Sequence, residues 1–315
     1  MSPADLLSGA WAAAGEGDCH EVAAGRGGGD VNIYRSESAR QALADWCRRR
    51  LDGWDVEHIR DVLDTALGET HVLVAGQGEP TVVILPGTNF NAATSMTIAG
   101  RFAARHRTVL VDLPGQPGLS AAERPTADRL RRYGSWLDEL LPSLAHGQVV
   151  LMGHSLGAAV ALAATPSDRI AGLVLLDPAG LIRVRLTGQL LASTLPWILR
   201  PNPRNSERML RYMSAPGHAP SRELVDWLTV LVRCAHTSVA PGPMPLGLIR
   251  RWLSTPRVVA TGEHDRFFPP ERLRGPVRDG LGSDTVVLAG SGHLTPEESP
   301  EAVVTLLSSL ALSRD

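Results

Sequence analysis

The chain has 315 residues, 43% of them hydrophobic, which is enough apolar material for one large core or two small ones. Its formal net charge is −2, so no global field selects nucleic acid or an anionic membrane. All 31 basic residues are arginine, and the three cysteines (Cys19, Cys47 and Cys234) are too far apart in sequence to suggest a disulfide framework or a zinc site.

Residues 1–30 are rich in Gly and Ala and are expected to be a flexible N-terminal segment. Asp5 stands where a signal peptide carries positive charge, and the run from Leu6 to Ala14 is short and broken by glycine. No apolar stretch approaches the ~18 residues needed to span a bilayer, so the expected location is cytoplasmic. Gly25-Arg26-Gly27 starts like a dinucleotide-binding loop, but no strand precedes it and Asp30 stands where the third glycine belongs. Residues 36–52 read as a helix with Ser36 as its N-cap, and Arg48-Arg49-Arg50 as a solvated face of it.

Beyond this helix the pattern changes. "VLDTALGETHVLVAG" predicts a hairpin turning near Gly68. Short apolar runs then follow at 81–87, 108–115, 148–153, 170–178, 256–265 and 284–293, each ending in a glycine or proline loop. Helix-like segments separate most of them. Continuous apolar strands alternating with helices predict an α/β fold, a mostly parallel sheet wound on both faces. Ligands in such sheets bind at the carboxyl ends of the strands. The interval 179–255 is too long for one crossover, is rich in helix-like sequence and proline, and reads as a helical cap inserted over those ends. The expected organisation is a flexible N-terminal segment (1–30), a first core part (31–178), the cap (179–255) and a second core part (256–315).

At 151–157 the apolar run breaks into "LMGHSLG". A strand has no structural need for a serine between two glycines. A serine hydroxyl is a weak nucleophile that requires a base and donors for the oxyanion it creates. A GxSxG corner between strand and helix supplies the placement, so Ser155 is the expected nucleophile. His293, in "AGSGHLTPEESPEAV" after the last run, is the expected base; the adjacent His154 reads as structural. Two aspartates at strand ends compete to orient the base. Asp265 in "TGEHDRFFPP" is favoured over Asp177 in "LLDPAG", although both satisfy the order Ser, Asp, His. Leu156 is expected to give one oxyanion-hole amide. The loop "LPGTNFNAATS" gives the other, from Thr88 or alternatively Asn89. Asn89, Trp197 and Trp227 are further expected near the substrate.

These motifs, with "DLPGQPGLS" at 112–120, resemble the α/β-hydrolase fold family, and its carboxylesterase-like serine hydrolases in particular. The resemblance covers roughly residues 60–315 without the cap. It implies a Ser155–His293–Asp265 triad with Thr88 and Leu156 in the oxyanion hole, and no metal or organic cofactor. Pro86-Gly87 replaces the more usual His-Gly, and the 112–120 loop is one residue longer than the commonest pattern. The expected activity is cleavage of a carboxylic ester, thioester or lactone. Acyl transfer, cofactor-free perhydrolysis and a non-catalytic ligand-binding role are the alternatives. The expected partner is a small molecule. Because the cap carries ten arginines against three acids, an anionic or carrier-bound acyl group is the sharper expectation.

Overall fold

A computed structural model describes residues 29–312; the N-terminal segment expected to be flexible (except its last two residues), with Gly25-Arg26-Gly27 in it, lies outside the described residues. The chain runs β1 (Val31–Asn32), α1 (Glu37–Asp52), β2 (His58–Leu63), β3 (Thr70–Ala75), β4 (Thr81–Leu85), α2 (Met96–Ala103), β5 (Thr108–Val111), β6 (Glu123–Arg124), α3 (Arg129–Leu144), β7 (Val149–His154), α4 (Leu156–Ala163) and β8 (Ile170–Leu176). Four helices follow: α5 (Gly188–Leu199), α6 (Pro203–Met213), α7 (Arg222–Cys234) and α8 (Leu246–Arg250). The chain closes with β9 (Arg257–Gly262), α9 (Pro270–Leu281), β10 (Thr285–Leu288), α10 (Thr295–Glu298) and α11 (Pro300–Leu312).

Eight strands form one sheet in the order β10-β9-β8-β7-β4-β5-β3-β2. The six from β10 to β5 are parallel, and β3 runs against both of its neighbours. The predicted hairpin is β2–β3, and its turn holds Gly68 at φ +89°. Side chains alternate between the two faces of the parallel strands. Val82 and Ile84 pack with Trp46, Phe102 and Val303 on one face. Val83 and Leu85 pack with Trp136, Val160, Trp252 and Leu273 on the other. Both faces are therefore covered, as continuous apolar strands require. Full burial of each such side chain stabilises by about 1.5–3 kcal/mol.

The order of the strands places the site. From β4 the chain crosses to β5 on one side and later returns to β7 on the other. The carboxyl ends of β4 and β7 thus flank the point where the winding reverses, which is where a crevice opens in sheets of this kind. The loops carrying Thr88 and Ser155 leave from those two ends.

The interval 179–255 is helical, and it touches the core in more than one place. Trp252 is fully buried and donates its indole N–H to the Leu162 carbonyl at 2.9 Å, which holds α8 against α4. Helix α7 packs on α1, with the Trp46 and Trp227 rings 4.8 Å apart. Ser36 caps α1 by accepting the Ala39 amide at 3.1 Å, and Arg48 and Arg49 are exposed. No described helix is long and apolar enough to cross a membrane.

Candidate active site

The corner at Ser155 is made by close approach. A Cβ on Gly153 would strike Ala158, and one on Gly157 would strike the Leu85 carbonyl of the neighbouring strand. Only glycine lets α4 start this near the sheet. Ser155 takes φ 51° and ψ −110°, a conformation that costs a non-glycine residue about 1–3 kcal/mol. Its backbone is bonded on both sides. The amide donates to Leu176 O at 2.9 Å, and the carbonyl accepts from Ala158, Ala159 and Ala179. The hydroxyl is left to side chains.

His293 Nε2 lies 3.2 Å from Ser155 Oγ, and Nδ1 of the same ring lies 2.9 Å from Asp265 Oδ2. All three residues are buried. The other Asp265 oxygen accepts the amides of Phe267 at 2.7 Å and Phe268 at 3.0 Å. Burial alone would raise the Asp265 carboxyl; the His293 charge and hydrogen bond, with those amides, hold it below the usual carboxylate value. For His293, burial alone would lower the ring, and Asp265 outweighs it, so the imidazole binds its proton above the ordinary histidine value. An ionised Asp265 only accepts, so Nδ1 carries the proton and Nε2 is free to take one from Ser155.

Asp177 is fully buried too, and its side chain is engaged elsewhere. One oxygen accepts the Gly262 amide at 2.9 Å, the other the Thr295 hydroxyl at 2.7 Å. Burial pushes its carboxyl upward. The nearest ring to it is His154, at 3.5 Å, and that ring's Nε2 donates to the His293 carbonyl at 2.8 Å. Donor atoms of His154, Asp177 and His293 lie within 4.8 Å of one another. Both ring nitrogens of His293 already have partners, so the cluster acts as a hydrogen-bond network that ties β7 and β8 to the histidine loop.

The structure separates the amides expected in the oxyanion hole. Gly87 lies against the nucleophile, since a Cβ placed on it would sit 3.3 Å from Ser155 Cβ. Among the described residues no acceptor meets the Thr88 or Leu156 amide. The Asn89 amide donates to Gln116 Oε1 at 3.1 Å. The Thr88 hydroxyl is buried without a partner. Trp197 and Trp227 are 4% and 0% exposed. Their indoles donate to Leu228 O at 3.1 Å and Asn89 O at 2.8 Å, so both are held in packing between elements.

Sequence reasoning missed what fixes the loops. The His293 amide donates to Met213 O at 2.7 Å, at the end of α6. Glu298 accepts from Ala215 at 2.7 Å and from Gly292 at 2.6 Å. Arg266 donates to Tyr212 O at 2.7 Å and lies over the Tyr212 ring. Phe267 stands edge-on to His293, with centroids 4.8 Å apart. The loop after His293 is acidic, "TPEES", but nothing in that pattern names α6 as its partner. A separate depression of 810 Å³ opens at the opposite, amino ends of the strands, lined by Glu79, Gln148 and Leu307, away from Ser155.

Residues 82–306 match the model of the alpha/beta hydrolase family. The chain belongs to that family. No curated protein matches its sequence. Among solved structures it is similar to carboxylesterase CesB of Bacillus subtilis, at 18% identity and a TM-score of 0.73, over 88% of this chain and 100% of that one. It is also similar to the naproxen esterase of Bacillus subtilis (20% identity, TM-score 0.69, 84% and 95% covered). A third is a thermophilic esterase of Thermogutta terrifontis (22%, 0.59, 81% and 98%). At these identities the likeness speaks for the fold. Family membership and esterase neighbours together support a hydrolase.

Proposed function

We propose that this member of the family is a serine hydrolase that cleaves a carboxylic ester, thioester or lactone through an acyl-enzyme. One observation carries the reading: a single buried imidazole meets a serine hydroxyl on one nitrogen and an ionised carboxylate on the other. Ser155 Oγ attacks the acyl carbonyl while His293 Nε2 takes the proton. Asp265 holds the ring in the tautomer that allows this and stabilises the imidazolium that forms. The carbonyl oxygen becomes an anion facing the Thr88 and Leu156 amides. Collapse expels the alcohol or thiol, which leaves with the proton from His293. Water then repeats the sequence on the acyl-enzyme and restores Ser155. Every proton in this cycle moves between Ser155, substrate, water and His293, so the reading calls for no cofactor.

In this reading the helices of 179–255 cap the site, and their arginine excess favours an anionic or carrier-bound acyl group. Trp197 and Trp227 act there by supporting the walls. Acyl transfer or perhydrolysis on the same groups remains the alternative, decided by which nucleophile reaches the acyl-enzyme.

An ester and thioester library, with Ser155→Ala as control, tests the proposal. Triad loss costs on the order of 10⁶ in kcat in a well-studied serine hydrolase. A variant that is folded and keeps more than about a tenth of the activity refutes covalent catalysis by Ser155.

A further inference from the structure

The loop after β4 makes a tight turn. Phe90 N donates to Gly87 O at 3.1 Å, which closes Gly87-Thr88-Asn89-Phe90, and Asn89, at the third position, has φ +68°. A positive φ there is the mark of a type II turn, and asparagine is one of the few residues that tolerates it. Type I and type II turns differ by a flip of the central peptide, here the one joining Thr88 to Asn89. The two forms send the Asn89 N–H to opposite sides. Ordinary sequence preference does not choose strongly between them at Thr-Asn.

Two side chains choose. Gln116, 2% exposed, accepts the Asn89 N–H at 3.1 Å, and its own amide donates to Gly115 O at 3.1 Å. Trp227, fully buried on α7, donates to Asn89 O at 2.8 Å. The peptides on both sides of Asn89 are therefore held by hydrogen bonds from outside the turn. The platform under Gln116 is itself fixed. Asp112 accepts from Ala92 at 2.6 Å and from Leu119 at 2.9 Å, and Asn91 donates to Pro117 O at 3.0 Å. The longer 112–120 loop and the 87–92 loop thus form one bonded unit beside Ser155.

We propose that Gln116 is a positioning residue for the oxyanion hole, with Trp227 as its counterpart on the helical insertion. By capturing the Asn89 N–H it locks the turn in its type II form. That leaves the Thr88 N–H as the loop's donor to the reacting oxygen. Gln116 touches no substrate and acts through the turn. The inference rests on the serine-hydrolase reading and goes beyond it, since that reading is indifferent to which residue holds the loop.

An alkyl fluorophosphonate tests both at once, because its phosphoryl oxygen enters the same oxyanion hole and no natural substrate is needed. The measured quantity is the second-order rate of labelling at Ser155, for wild type, Gln116→Met, Gln116→Glu and Trp227→Phe, with melting temperatures alongside. Loss of a whole oxyanion donor costs about 10²–10³, so misplacing one is expected to slow Gln116→Met by about 10–100-fold. Gln116→Glu keeps the acceptor oxygen and is expected within about threefold of wild type. Trp227→Phe keeps an aromatic ring, smaller than the indole, but loses the N–H, and is expected about 3–10-fold slower. The pH midpoint of labelling, which reports His293, is expected to stay put in all three variants. Wild-type protein unlabelled at Ser155 would sink the serine-hydrolase reading and this inference with it. Wild type labelled, with folded Gln116→Met equally fast, would overturn the inference alone. A Gln116→Glu variant as slow as Gln116→Met would do the same, because it keeps the acceptor oxygen and would show that this oxygen is not what matters.

Discussion

At the scale of single residues, two buried aspartates stand near one histidine, and their surroundings push them in opposite directions. Asp265 is held below the usual carboxylate value and Asp177 is raised by burial. The difference predicts which one matters to the base. Asp265→Asn removes the charge that raises His293 and the acceptor that sets its tautomer. Its kcat is expected to fall by about 10⁴, the loss seen when a triad acid is made neutral. General-base catalysis needs neutral His293. The acid limb of wild-type kcat/KM should therefore lie above the unperturbed value of about 6.5, and in Asp265→Asn it should shift to lower pH. Asp177→Asn keeps an acceptor for Gly262 or Thr295 and should cost less than tenfold, with a smaller shift of the limb, because the Asp177 charge raises His293 less than Asp265 does. The same pH profiles, measured on both variants, would reverse the assignment if Asp177→Asn moved the limb and Asp265→Asn did not. Stability follows the same signs. The raised His293 stabilises the fold fully below about pH 6.5, and that contribution is lost as pH rises through its folded value. The lowered Asp265 contributes above about pH 3.8 and loses its contribution as pH falls through its folded value.

At the scale of elements, the β4–β7–α4 corner was legible because its signals are local. An apolar run that breaks into Gly-x-Ser-x-Gly and resumes as the small apolar run "AAVALAA" reads as a strand meeting a helix at close range. Gly157→Ala tests the close approach. The added Cβ meets a backbone carbonyl that no rotamer change can move, so the fold should lose more than about 3 kcal/mol in a denaturant titration. A loss under 1 kcal/mol would mean that α4 can slide away from β4. Other elements left weak traces in the sequence. Strand β2 is an edge strand whose Ile59 and Val62 fall on opposite faces and are exposed, so it shows no alternation to read. The two-residue ribbon of β1 with β6 has no pattern at all. The order Ser, Asp, His left the acid open, because both aspartates end strands; the ring nitrogen that Asp265 meets distinguishes them. Likewise, the sequence leaves Trp197 and Trp227 open between pocket wall and packing, since aromatic residues in helices of this kind serve either purpose. Their indole N–H groups found carbonyls in the protein. Gln116 was invisible as a functional residue because its partner is a backbone amide 27 positions away.

At the scale of the whole molecule, charge is unevenly divided. Residues 179–255 carry a formal +7 and the rest of the chain −9. The helices bearing this excess are not remote from the chemistry, since the end of α6 bonds the His293 amide and accepts from Arg266. On α6 itself, Arg211 is paired with Glu207 at 2.6 Å, whereas Arg204 and Arg208 are exposed and have no acidic partner among the described residues. Surface pairs of this kind add little to stability, so the unpaired arginines are better placed to act on encounter with a ligand. Screening then becomes the diagnostic. Raising ionic strength from ~0.01 to ~0.5 M shortens the Debye length from about 30 Å to about 4 Å, which erases steering by exposed charge. For an anionic ester, kcat/KM is expected to fall several-fold over that range, while a neutral ester of the same acyl group changes less than twofold. In the double reversal Arg204→Glu, Arg208→Glu the two esters should respond alike, with kcat at saturation unchanged because neither arginine bonds Ser155, His293 or Asp265. Equal salt responses for both esters in the wild-type protein would show that the basic helices serve packing and solubility and do not recruit the substrate.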